Sequence, residues 1–161
     1  MQEYLNDLYN SVKTFNSIAG NYDVSAKAFL NQQKLINEEV EEIAEGIRTG
    51  DVVAILDGAI DSLYVVMGTL HKLELMGCDI QGAIKQVCVD NSTKFPLDEE
   101  TAVKTVMHYN KQNVNAKWEY NEKYQRYVIK DSNGKIRKPY NFIPTDLSGY
   151  VPKELQEKGL L

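Results

Sequence analysis

At 161 residues and 43% hydrophobic content, the chain is long enough for one domain with a real core and too apolar to be disordered. Its net charge of -5 and the lack of any long basic block exclude a binder of nucleic-acid polymers that relies on phosphate neutralisation. A nucleotide substrate stays open, because a bound metal ion can supply positive charge.

Taken in chain order, the N-terminal stretch "MQEYLNDLYNS" lacks the charged and apolar regions of a signal peptide, so no leader is expected. Tyr4, Leu5, Leu8, Val12 and Phe15 fall at helical spacing and predict a first helix from about Gln2 to Ile18. "AGNYDVS" breaks it, and Ser25 is placed to cap a second helix over about Ala26 to Arg48. Gly50 stops that helix and Asp51 caps a third, from about Val52 to Met76. A fourth opens after Asp79 and reaches about Asn91. Short connections of this kind predict an antiparallel bundle.

After Pro96 the character changes. Asp98 is placed to cap a short fifth helix, "EETAVKTVMHYNKQ". "NAKWEY" and "RYVIK" then alternate polar and apolar residues, and "DSNGKI" holds an Asn-Gly turn, which together predict a small β-hairpin or meander. The tail "NFIPTDLSGYVPKEL" is expected to be mostly extended. The expected class is therefore mainly α: a four- to five-helix antiparallel bundle with a small C-terminal β-hairpin and an extended tail. Residues 1–97 form the expected helical core and residues 98–161 the C-terminal helix, hairpin and tail. No apolar run is expected to span a membrane, since Asp57 and Asp61 interrupt the best candidate. Cys78 and Cys88 show no CxxC spacing, so neither zinc nor a disulfide framework is indicated and a cytoplasmic setting is expected.

The chemistry lies in the second and third helices. At about 100° per residue, Ile36, Val40, Ile43 and Ile47 form a buried stripe. Glu39 lies on its flank, Glu42 one step further round and Glu38 beyond, whereas Glu41 and Glu45 point to water. In the third helix Asp57 and Asp61 are four apart in an apolar run and share a face with the small residues Ala54 and Gly68. A glutamate-rich helix segment is by itself an ordinary solvated face. Aspartates in an apolar helix also serve to pair with lysines, here Lys13, Lys27 or Lys34, or to face a partner chain. Carboxylates converging from two helices joined by a tight turn favour a third reading, a hard divalent cation held between them.

At these residues the sequence resembles the all-α nucleoside triphosphate pyrophosphohydrolases, the superfamily of MazG-like and phosphoribosyl-ATP pyrophosphohydrolase-like proteins. "EEVEE" matches the E-E-x-x-E pattern with Glu38, Glu39 and Glu42. "DGAIDSLYVVMGT" supplies Asp57 and Asp61 and is similar to phage-type members, as is the ending "NGKIRKPYNFIPTDL". "VCVDNSTKF" resembles the V-x-x-S-N-x-S-K segment and contributes Asn91 and Lys94. Two positions depart from the pattern: Gly58 stands where the best-known members have a glutamate, and Asp90 where many have serine.

The resemblance implies Mg²⁺ (or Mn²⁺) on Glu39, Glu42 and Asp61, with Asp57 a weaker ligand. It places Glu38 as the residue that holds or deprotonates the attacking water, and Asn91 and Lys94 on the phosphates or sugar of a nucleoside triphosphate. The products would be a monophosphate and pyrophosphate, in deoxynucleotide pool control. The resemblance also implies a homodimer or homotetramer, and the host cytoplasm as the setting if the protein is phage-encoded; the hairpin and tail are expected to wrap a neighbouring chain. Neither a nucleic-acid polymer nor a membrane is an expected partner. Phosphoribosyl-ATP hydrolysis and a non-enzymatic helical assembly role are the alternatives. Phe15, Tyr22, Phe29 and Tyr64 are candidates to stack on a base, with a core role as the plainer reading. Trp118 is expected in core or interface, and His71 and His108 have no assigned role.

Overall fold

The computed structural model describes residues 2–160; residues 1 and 161, the outer ends of the two expected segments, lie outside the described residues. The chain forms two compact units, residues 2–80 with 148–160, and residues 81–147.

The first unit is built on three helices: α1 (Gln2–Ala19), α2 (Ala26–Thr49) and α3 (Val52–Leu75). Local chemistry sets their ends. The Ser25 hydroxyl accepts the Ala28 N–H at 3.3 Å at the start of α2. Gly50 takes a φ of 72°, which glycine adopts without penalty, and its N–H returns to the carbonyls of Gly46 and Ile47. The Asp51 carboxylate then accepts the N–H groups of Val53 at 2.9 Å and Ala54 at 3.1 Å to open α3. Two residues therefore reverse the chain, and α2 and α3 run antiparallel along their length.

Small residues and one amide fix how closely that pair packs. A Cβ built on buried Gly58 would stand 3.0 Å from Ile43 Cγ1 and 3.2 Å from the Glu39 carbonyl oxygen. A Cβ on Gly46 would stand 2.9 Å from the backbone nitrogen of Ile55. The space beside Gly68 is not open: the Gln32 side chain fills it and donates to the Val65 carbonyl at 2.8 Å.

A polar belt joins α1 to the end of α3. Glu74 accepts from the Tyr9 hydroxyl at 2.9 Å and from Lys13 at 3.0 Å. The amine of Lys72, whose residue is 3% exposed, donates to Asn21 Oδ1 and the Asp23 carbonyl, strapping the loop between α1 and α2. The tail is not extended throughout. Residues 148–150 form a 3₁₀ turn, and α6 (Lys153–Lys158) follows Pro152, whose fixed φ suits a helix start. Gln156 secures the turn by donating to the carbonyls of Ser148 and Val151.

α4 (Ile80–Ser92) carries the chain into the second unit, where α5 (Glu99–Asn110) packs on a hairpin of β1 (Ala116–Asn121) and β2 (Arg126–Asp131). Asp98 caps α5 by accepting the Thr101 N–H at 2.7 Å. Ala102, Ala116 and Ile129 form the buried centre, with Val106, Tyr109 and Tyr127 around it. The Asn133-Gly134 turn lies after β2 and brings Ile136 back beside Lys130, which gives the meander a short third leg.

The membrane expectation is corrected in one respect. α3, at 24 residues, is long and apolar enough by length and composition to cross a membrane. Two mid-helix aspartates oppose such a placement, because each charge costs about 2.5–3.5 kcal/mol at a bilayer centre.

Candidate active site

The glutamates of α2 divide as their helical positions require. Arg48 pairs with Glu41 at 2.8 Å and with Glu45 at 2.6 Å, so the two water-facing glutamates carry a cation of their own. Among the described residues Glu38, Glu39, Glu42, Asp57 and Asp61 make no ion pair. Lys13 pairs with Glu74 instead of either aspartate. The lysine-pairing reading of Asp57 and Asp61 is therefore not met within the chain.

These five acids share one side of the α2–α3 pair. On α2, Glu42 and Glu38 lie about 60° and 100° round from Glu39; on α3, Asp61 and Asp57 lie about 60° and 100° round from Gly58 in the same sense. Gly58 abuts the Glu39 backbone, and the helices are antiparallel, so the two acidic flanks face the same way. The electrostatics agree. The half-buried Glu39 carboxyl is pushed above its ordinary 4.5, first by burial and then by the like charges of Glu42, Asp61, Glu38 and Asp57.

The acids are not in the interior, although apolar residues flank Asp57 and Asp61 along the chain. Glu38, Glu42, Asp57 and Asp61 are exposed, because within one chain α2 covers a single face of α3. The outer face of α3 is equally bare: Val52, Val53, Leu56 and Ile60 are 74%, 77%, 63% and 51% exposed. Phe15 meets Tyr64 edge-on at 6.4 Å, with Phe15 and Tyr22 mostly exposed, and Phe29 and Tyr64 are half-buried.

The donor set suits a hard divalent cation, being all oxygen with no compensating charge. Among the described residues no three His, Cys, Asp or Glu side chains are gathered as a ready-made metal cluster. The fit lies in donor chemistry and charge, and the exposed side chains have rotamer freedom with which to converge.

Asn91 and Lys94 belong to the second unit. They are brought together there at the end of α4, where the Lys94 amine donates to Asn91 Oδ1 at 2.5 Å. Asn91 also lines a cavity of about 560 Å³ with Phe95, Asn121, Tyr124 and Arg126. Asp90, the departure from serine, accepts from Gln86 at 2.8 Å. Sequence reasoning missed two residues that set the spacing of the site, Gln32 and Gly58. For Gly58 a signal existed: a glycine inside a helix pattern marks a close approach.

Residues 20–88, which hold all five acids, match the family model described as phosphoribosyl-ATP pyrophosphohydrolase. No curated protein and no solved structure matches the chain. The matched segment makes the α2–α3 region similar to the phosphoribosyl-ATP pyrophosphohydrolases, a family of the all-α nucleoside triphosphate pyrophosphohydrolase superfamily, whose members are hydrolases that act on phosphoric anhydrides.

Proposed function

We propose that the protein hydrolyses a nucleoside triphosphate, in first place a deoxynucleotide, to the monophosphate and pyrophosphate in a Mg²⁺-dependent reaction. One observation carries the reading: five acids without a cationic partner share one side of the α2–α3 pair, inside the segment that matches the family. Glu39, Glu42 and Asp61 hold the metal, with Asp57 as a weaker ligand and Mn²⁺ as a substitute ion. The bound metal offsets the charge of the triphosphate oxygens. Glu38, at the outer margin of the cluster, orients the attacking water and takes its proton. Asn91 and Lys94 serve the phosphates or sugar.

The active form is a homodimer or homotetramer. The bare apolar face of α3 supports this, because a second copy laid there removes Val53, Leu56 and Ile60 from water. The cytoplasm of the producing cell, or of a host for a phage-encoded chain, supplies both nucleotide and magnesium.

A second reading, hydrolysis of phosphoribosyl-ATP, is favoured by the description of the matched family itself. Both substrates lose pyrophosphate from a triphosphate, and the acidic cluster serves either. Pyrophosphate release from a panel of deoxynucleotides, ribonucleotides and phosphoribosyl-ATP, with and without Mg²⁺, separates them. Release from none of them overturns the enzymatic reading.

A further inference from the structure

We propose that the outer edge of β1 pairs with β1 of a second copy, in antiparallel register centred on Trp118, to form a four-stranded sheet across two chains. This stands on the second unit alone and does not depend on the enzymatic reading.

The hairpin ladder shows which backbone groups are free. The Ala116 N–H is taken by the Asn110 side chain at 2.9 Å rather than by β2. Opposite, the N–H groups of Tyr127 and Asp131 go outward to the carbonyls of Pro96 and Lys135, and the Ile129 carbonyl accepts from Arg137 N–H. Since Ala116, Trp118 and Tyr120 oppose Asp131, Ile129 and Tyr127, they occupy the non-hydrogen-bonded positions of the ladder. Their remaining backbone groups therefore point away from β2. The segments at Pro96 and at 135–137 close the outer edge of β2. Nothing among the described residues closes that of β1: Trp118 and Tyr120 present N–H and C=O without a backbone partner. Six residues are enough to pair, and an open edge is a template for another strand.

The charge pattern selects the occupant and the register. Lys117 stands directly opposite Lys130 in the hairpin, an unfavourable like-charge pair. Lys130 finds a carboxylate diagonally, in Glu119 at 2.5 Å, whereas Lys117 makes no ion pair among the described residues. Two β1 strands centred on Trp118 place Lys117 of each copy beside Glu119 of the other. Trp118 exchanges both its backbone bonds with its symmetry mate, and each Tyr120 N–H meets an Ala116 carbonyl. A register two residues further along, centred on Tyr120, would set Lys117 against Lys123 and forfeit the pairing. The exposed Trp118 and Tyr120 side chains, which flank Tyr127 on one face, would be covered together.

The test uses the full chain, as wild type, Lys117→Glu, and Lys117→Glu combined with Glu119→Lys. Lys117→Glu improves the match to Lys130 within the hairpin and sets two glutamates against each other between copies. We expect the single variant to halve the assembly mass in sedimentation velocity and the double exchange to restore it. Amide exchange at Trp118 and Tyr120 should quicken by about tenfold or more in the single variant, while α5 amides keep their protection. Trp118 is the sole tryptophan, so its emission should shift to the red on dissociation. Unchanged mass and exchange in Lys117→Glu would overturn the proposal, and so would a mass loss that the double exchange fails to reverse. Pyrophosphate release per chain is expected to be the same in all three, so an inactive wild type would count against the enzymatic reading and leave this one standing.

Discussion

Gly58 and Glu39 meet backbone to backbone across the α2–α3 seam: a Cβ on Gly58 would lie 3.2 Å from the Glu39 carbonyl oxygen and 3.1 Å from the Ile43 nitrogen. Superfamily patterns place a glutamate at this position, yet here no side chain fits. The acidic pair is Asp57 with Asp61 instead, one residue earlier at its first member. Gly58→Ala should destabilise the protein by about 1–3 kcal/mol, because backbone atoms cannot give way as a flexible side chain does. Gly58→Glu should destabilise it further and gain no metal affinity. Thermal melts with and without Mg²⁺ check both, and a Gly58→Glu variant that is stable and more active would contradict the packing account.

Removing a proposed ligand should separate chemistry from folding. Glu39→Gln and Asp61→Asn are each expected to lower turnover by about 100-fold or more, since even outer-shell metal partners cost about 10–100-fold. The apo protein should not suffer. A carboxyl whose pKa is raised on folding costs stability as pH rises from 4.5 through its folded value, and glutamine carries no such cost. At pH 7.5 without metal, the melting temperature of Glu39→Gln should equal or exceed that of wild type. A marked fall would show that Glu39 holds the fold together rather than a metal.

Glu74 predicts the opposite pH dependence. Burial raises its pKa, but the hydrogen bonds from Lys13 and Tyr9, with the charge of Lys13, outweigh burial and leave the carboxyl below its ordinary 4.5. Its contribution is therefore complete above pH 4.5 and is lost as pH falls through the lower folded value. The Lys13–Glu74 side chains are about 40% exposed, so the effect is small, under about 1 kcal/mol. Glu74→Gln should flatten the acid limb of melting temperature against pH. An unaltered acid limb would remove this tie between α1 and α3 from the account.

The bare face of α3 makes a further prediction. Leu56→Glu and Ile60→Lys place charges where a second copy is proposed to lie. Sedimentation should show loss of that association while circular dichroism stays helical, because both residues point away from α2. Intact assembly in both variants would move the interface elsewhere.

Much of the fold was legible because its punctuation is local. Ser25, Gly50, Asp51 and Asp98 cap the helices as their side chains require, and the β1 and β2 segments alternate as strands do. Position within the fold was less legible. Asp57 and Asp61 sit among apolar residues and read as buried, but an apolar run reports only that a face avoids water, not which chain covers it. The 148–158 tail failed for a similar reason: its helix is one short turn and a half, secured by Gln156 reaching back to Ser148. At the site, spacing distinguished Glu38, Glu39 and Glu42 from the outward Glu41 and Glu45, and Arg48 explains the outward pair. Gln32 was invisible to periodicity, since its role depends on a partner 33 residues away.

The acids shared by α2 and α3 are proposed to catalyse metal-dependent release of pyrophosphate. The most direct test of that role is initial-rate pyrophosphate release by wild type and Asp61→Asn across the nucleotide panel, titrated with Mg²⁺ from chelator-treated protein. The account predicts release by wild type that rises with Mg²⁺ and saturates, and none above background for Asp61→Asn. Equal rates for the two proteins, or rates indifferent to chelator, would contradict it.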